Sequence, residues 1–156
     1  MPMRNIDAID RKIIGALQED GKMTVQEVSE RVGLSQSPCA RRIRILEEAG
    51  IIKGYAAIVD QKKVGLPISA FASIKLERQT EDNLERFTQA VARWPEVADC
   101  YLMTGQRDYL LRIVVRDLEA YEDFLKDKLT RLEGVASIET SFALGQIKRS
   151  EKFPLG

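Results

Sequence analysis

At 156 residues the chain is long enough for one ordinary domain or two small ones, and 44% hydrophobic with 31% charged residues is a globular composition that excludes global disorder. The 24 Lys and Arg are balanced by 24 Asp and Glu, which excludes a general polyanion coat but leaves room for a local basic patch. The chain has no histidine and only two cysteines, Cys39 and Cys100, far apart, so histidine triads and Cys/His metal sites are excluded and both thiols are expected to be structural. No apolar run approaches the roughly 18 residues a membrane helix needs. The N-terminus, Met1 to Asp7, lacks a signal-peptide core, so a cytoplasmic location is expected.

The first helix is predicted to begin at Asp7, a good N-cap, with Ile6 as a hydrophobic staple. Ile9, Ile13, Ala16 and Leu17 follow helical spacing and form its buried stripe, and Asp20-Gly21 ends it with a left-handed glycine. A second helix starts at Thr24, where Thr24 and Glu27 make a capping box, and Val25, Val28 and Val32 supply its apolar face. Gly33 permits a sharp turn, Leu34 plugs it, and Ser35 caps a third helix. Pro38 falls in that helix's first turn, where a missing N–H has no acceptor to lose. Cys39, Ile43 and Leu46 face the core, which turns Ser37, Ala40, Arg41 and Arg44 outward, and Gly50 closes the helix.

Two short helices broken at a glycine, the second with a basic, acid-free face, are the layout of a helix-turn-helix. Double-stranded DNA is the expected partner. The candidate contacts are Ser35, Gln36, Ser37, Ala40, Arg41, Arg42 and Arg44, with Lys53 near phosphate, and Arg42 reads equally as a support for the helix. The competing reading is a three-helix bundle with a solvated arginine face. The β-rich stretch 51–60 is expected to form one or two short strands, a wing beside the helices. Gly65-Leu66-Pro67 marks a boundary, giving a DNA-binding domain over 1–62 and a second domain over 63–156, with 63–67 as linker.

Beyond it the pattern changes. Ile68, Ala70, Ala72, Ile74 and Leu76 alternate with Ser69, Phe71, Ser73 and Lys75, as a strand requires. Residues 81–93 carry Leu84, Phe87 and Val91 at helical spacing, followed by Trp94 and a stop at Pro95. Strands are predicted over 97–104 and 108–116, joined by a tight turn at Gly105, then a helix over 118–132 ended by Gly134, and a last strand over 135–147. The order βαββαβ is the ferredoxin-like plan, so the whole chain is α+β. Two helices cover one face of a four-stranded sheet, yet strand 110–115 is apolar on both faces, and a second subunit is the economical cover.

The chain resembles the Lrp/AsnC family of leucine-responsive and asparagine-responsive regulators over nearly its whole length. The matching segments are Ile9 to Ile14, Glu27 to Ser35, Ser37-Pro38-Cys39 with Arg42, Gly50 to Tyr55, and Thr104 to Leu111. One departure is Gln36, where many members carry proline; it alters groove contacts rather than the fold. The resemblance implies a winged helix-turn-helix joined to a ferredoxin-like domain that dimerises and senses metabolites. It also implies assembly as dimers and then tetramers to octamers, and an amino-acid effector held near the loop Thr104–Tyr109. The effector residues it suggests are Met103, Thr104, Gly105, Gln106, Asp108 and Tyr109, with Thr140 and Ser141 as weaker candidates to complete the pocket from the same or another chain. No cofactor and no metal are expected.

The loop makes physical sense on either of two readings. Gly105 leaves backbone N–H groups open to a carboxylate and Asp108 offers an acceptor to an ammonium; alternatively Asp108 caps a backbone N–H in a plain hairpin. The expected function is thus a sequence-specific, effector-modulated regulator associated with the nucleoid. The alternatives are a DNA-organising protein without effector response and a ferredoxin-like enzyme using Asp99, Cys100 or Asp108.

Overall fold

The computed structural model describes residues 5–156, so most of the N-terminal stretch inspected for a leader lies outside the described residues. Two compact units form, a head that runs to Ile58 and takes in Ile147–Gly156, and a sheet unit, Val59–Gln146. The boundary thus lies a few residues before the expected one, and the last ten residues join the head rather than the second domain.

Three helices make the head: α1 (Ala8–Glu19), α2 (Val25–Val32) and α3 (Gln36–Glu48). Asp7 caps α1, its carboxylate accepting from the Asp10 N–H at 2.8 Å, and Asp10 returns the bond as a capping box. Thr24 and Glu27 cap α2 in the same reciprocal way. Ile13, Ala16, Val28, Cys39 and Leu46 form the core, with Ile6, Ile9, Leu17, Val32 and Ile43 packed partly buried against it. At the end of α1 the expected left-handed glycine is absent: Asp20 terminates the helix in an extended conformation, and its carboxylate accepts from the Lys22 N–H at 2.8 Å.

The strands expected over 51–60 do not form. A strand needs a ladder partner, and the head holds no second strand among the described residues. Instead Ile51 and Ile52 pack on the head's core, and the Tyr55 hydroxyl donates to Glu47 at 2.8 Å. Burial and that carboxylate push the Tyr55 phenol up to about 12. The C-terminal tail returns to α1: Leu155 joins the core, and the Gln18 amide exchanges hydrogen bonds with the Phe153 backbone at 2.7 and 3.3 Å.

The sheet unit runs β1 (Ile68–Leu76), α4 (Glu81–Val91), β2 (Val97–Leu102), β3 (Tyr109–Val115), α5 (Leu118–Phe124) and β4 (Val135–Phe142). The sheet is antiparallel with order β2-β3-β1-β4, as a ferredoxin-like plan requires. The second helix does not stay α-helical to 132: residues Leu125–Leu129 form a wider π turn, closed by Thr130 N–H on the Leu125 carbonyl at 2.9 Å. β4 stops at Phe142 rather than 147, because β1, its pairing partner, begins at Ile68 and offers one further backbone acceptor, Ser69, to Ala143. Alternate residues of β1 and β3 bury Ala70, Ala72, Ile74, Leu111 and Ile113 against Phe87, Val91, Tyr121, Phe124 and Leu129. Both helices therefore lie on one face, and the other face presents Phe71 and Tyr101.

Candidate DNA-contact face and effector loop

The turn between α2 and α3 is built on Gly33, whose φ of 76° is left-handed and strains any residue with a Cβ. Leu34 N–H closes the turn on the Ser29 carbonyl at 2.9 Å. α3 then starts after Ser35, whose side chain makes no capping bond, contrary to expectation, and Pro38 sits in the first turn. Cys39 and Leu46 are fully buried, and the face away from them turns outward: Gln36, Ser37, Ala40, Arg41 and Arg44 are all exposed. Arg41 has no ion-pair partner among the described residues. Arg44 meets only Glu48, at 3.8 Å and in open solvent, a pair of negligible strength. Ser35 and Lys53 are exposed as well.

Arg42 differs. Its Nη1 donates to Asp7 at 2.7 Å and to Asp10 at 2.9 Å, and the residue is half-buried. The absence of acids around α3 in the sequence is misleading here, since these two acids come from α1. The capping bond from Asp10 N–H and then the guanidinium hold the Asp7 carboxyl below its ordinary value, while both acids raise Arg42.

The candidate effector loop lies between β2 and β3. Met103 N–H bonds the Asp108 carbonyl at 2.8 Å, and Gly105 adopts a left-handed φ of 99°. Met103, Thr104, Gly105 and Gln106 are exposed. Asp108 is 4% exposed and does not face solvent. Pairing of β1 with β3 ends at Ile74, so the Leu76 N–H has no strand partner on that side; it donates to the Asp108 carboxylate at 2.7 Å, and the Gln79 amide donates to the other oxygen. The expectation of an open acceptor for a ligand ammonium is thus corrected: this acid braces the loop from beneath. Tyr109 is likewise a core residue, stacked on Phe87 at 4.2 Å with its hydroxyl donating to the Leu84 carbonyl at 3.3 Å.

Thr140 and Ser141 do not reach the loop of their own chain. Thr140 lies on the helix side, hydrogen-bonded to the Tyr121 hydroxyl, and Ser141 pairs with Phe71 on the open face. The side chains brought to the loop are ones that sequence reasoning does not single out for the effector: Lys75 donates to the Gln106 carbonyl at 3.4 Å, and Arg107 pairs with Glu139 and reaches Ser137 at 3.3 Å. Strand alternation from Ile74 would place Lys75 there; the Arg107–Glu139 pair depends on the register of β4 and is not readable locally. A groove of about 510 Å³ beside Glu77, Arg78, Asn83, Arg86 and Glu133 has no forerunner in the sequence pattern either.

Of the groups an enzyme would use, Asp99 is ion-paired to Arg112 at 2.5 Å, Asp108 is engaged by Leu76 and Gln79, and burial pushes the Cys100 thiol up despite the residue's exposure. Cys39 is buried as expected; Cys100 is not.

Comparison with known proteins finds a family model for each half of the chain. A model described as the Lrp/AsnC ligand binding domain matches residues 69–153, and one described as winged helix-turn-helix DNA-binding matches residues 6–53. The Bkd operon transcriptional regulator of Pseudomonas aeruginosa is 43% identical over 153 residues, covering 98% of this chain and 100% of that protein. The leucine-responsive regulatory protein of Rhizobium meliloti is 41% identical over 143 residues, 92% of each chain. Among solved structures, a transcriptional regulator of Neisseria meningitidis in complex with L-Met superposes with a TM-score of 0.91 at 42% identity, covering 97% of both chains.

Proposed function

The chain belongs to the Lrp/AsnC family of transcriptional regulators, and from that premise we propose that it reads double-stranded DNA with the exposed face of α3 and adjusts that reading to a small α-amino acid. The observation that carries the DNA half is the exposed set Gln36, Ser37, Ala40, Arg41 and Arg44 on a helix held by the Gly33 turn. Small residues at Ser37 and Ala40 let the helix approach base edges, Arg41 and Arg44 supply bidentate donors, and Ser35 and Lys53 lie outward for phosphate.

The effector half rests on the loop and on the Neisseria relative, whose solved complex holds L-Met. Thr104, Gly105 and Gln106 offer open backbone N–H groups to a carboxylate, with the Lys75 and Arg107 cations beside them. Glu139, rather than the inward-turned Asp108, supplies the acid for an ammonium group. Met103 supplies apolar surface for a side chain. Replacing Asp108 by alanine leaves Leu76 N–H unpaired, a loss of about 1–3 kcal/mol borne by the loop's geometry. The open sheet face, with Phe71 and Tyr101, is covered by a second copy, and the dimer builds higher symmetric assemblies. The protein works in the cytoplasm on the nucleoid, as a binder rather than an enzyme and without cofactor or metal.

A thermal-shift screen against the twenty amino acids, with assembly size measured alongside, tests the effector half. The expected result is a rise in melting temperature and a change in assembly for one or a few small apolar amino acids. A flat response to all of them returns the DNA-organising alternative to first place.

A further inference from the structure

Arg42 is the one arginine of α3 that does not face outward, and its surroundings are specific. A single guanidinium nitrogen bridges Asp7 at 2.7 Å and Asp10 at 2.9 Å. Asp7 is the cap of α1 and Asp10 its third residue, so both acids belong to one rigid first turn, closed by their own reciprocal capping box. Asp10 is 1% exposed, too deep to meet a DNA backbone. Arg42 is therefore anchored at the base of α3, while Arg41 and Arg44, one position before and two after, point to solvent. The buried apolar contacts of Cys39 and Leu46 hold the depth of α3, but non-directional apolar contact leaves some freedom of rotation about the helix axis. A directional, charge-assisted bond to a fixed partner does not.

We propose that Arg42 is a positioning residue: through Asp7 and Asp10 it sets the rotation of α3, and so decides which side chains meet the base edges, without itself touching DNA. This role rests on the DNA-binding reading of α3. It predicts a loss of sequence discrimination rather than a loss of electrostatic attraction. Specific contacts need the helix face aligned with the bases, whereas non-specific binding needs only cations near phosphates.

The test uses the full-length protein, a duplex that the wild type selects from a random-sequence pool, and an unselected duplex of the same length. Failure of the wild type to select any duplex would sink the DNA-binding reading itself, and it is observed before any variant is made. Arg42→Gln and Asp10→Asn are each compared with wild type at several salt concentrations, with folding checked by circular dichroism. Both are expected to weaken binding to the selected duplex on the order of tenfold, the scale of a lost charge-assisted bond. Binding to the unselected duplex and the salt slope should stay unchanged. The double variant should lose little more than Arg42→Gln alone, since that substitution already removes both arms of the bridge and Asp10→Asn weakens one of them. Should Arg42→Gln not fold, Arg42→Lys keeps the charge and is expected to lose part of the discrimination at an unchanged slope.

A phosphate contact gives the opposite pattern. The slope of Arg42→Gln would fall by about 0.9, and Asp10→Asn, which removes a repelling charge, would bind as well as wild type or better. That pattern overturns the proposal. So does an equal loss on both duplexes, which would mark general damage to the head, and so does full discrimination by both variants.

Discussion

In the head, most of the residues proposed to meet DNA lie on one helix, and a single glycine turn and a few caps suffice to present them. In the sheet unit the corresponding groups come from separate strands: Lys75 from β1, Arg107 from the loop before β3, and Glu139 from β4, gathered around Thr104, Gly105 and Gln106. The head's face is complete within one chain. The sheet unit leaves Phe71 and Tyr101 on an open face, which the proposed dimer covers with another copy. A site built along a helix is local in sequence; a site built across a sheet depends on register.

The largest expected effect separates the units by assembly. Phe71→Asp places a charge on the open sheet face between Arg112 and Ser141, where its own chain tolerates it but a covering copy does not. Burying that charge costs several kcal/mol, so sedimentation should show the assembly falling to monomer with both units still folded. An unchanged assembly size would mean the copies meet elsewhere.

Next in size is Gly33→Ala. Nothing lies within 4 Å of the added Cβ, so the cost is that of left-handed backbone alone, about 1–2 kcal/mol. The loss should fall on the head, with earlier exchange of α2 and α3 amides, and leave the sheet unit's protection intact. A uniform loss across the chain would mean that the units unfold as one.

The smallest effect is in acid. Asp7 is held below its ordinary value by its capping bond and by Arg42, so its contribution is complete above the unfolded carboxylate value and is lost as pH falls through the lowered one. Fluorescence and exchange-monitored acid titration should therefore find α1 loosening before the sheet unit below about pH 4. Asp7→Asn should flatten that difference, and an early acid transition persisting in it would assign the effect to another group.

The same contrast explains how much of the molecule is legible in its sequence. The caps at Asp7 and Thr24, the Gly33 turn and the exposed face of α3 follow from spacing within one or two helical turns, and each can be read locally. So can the class of the sheet unit, because period-two and period-3.6 segments alternate cleanly. The features that escape have a common cause. Arg42 finds its acids more than thirty positions away, Asp108 is turned inward by an N–H that the end of a strand pairing leaves open, and the stretch 51–60 stays unpaired for want of a partner strand. None of these is visible in local composition. The C-terminal tail groups with the second domain by sequence for the same reason, since its attachment to α1 rests on Leu155 and Gln18.

Occupancy of the effector loop should change how α3 meets DNA, and this coupling is what makes the two units one regulator. It is measured as binding of the wild-type protein to its selected duplex, with and without a saturating amount of the amino acid that gives the largest thermal shift. Coupling between the two sites predicts a change in affinity of about fivefold or more, and by linkage the duplex must alter the amino acid's affinity by the same factor. Identical DNA-binding curves with the amino acid demonstrably bound would contradict it.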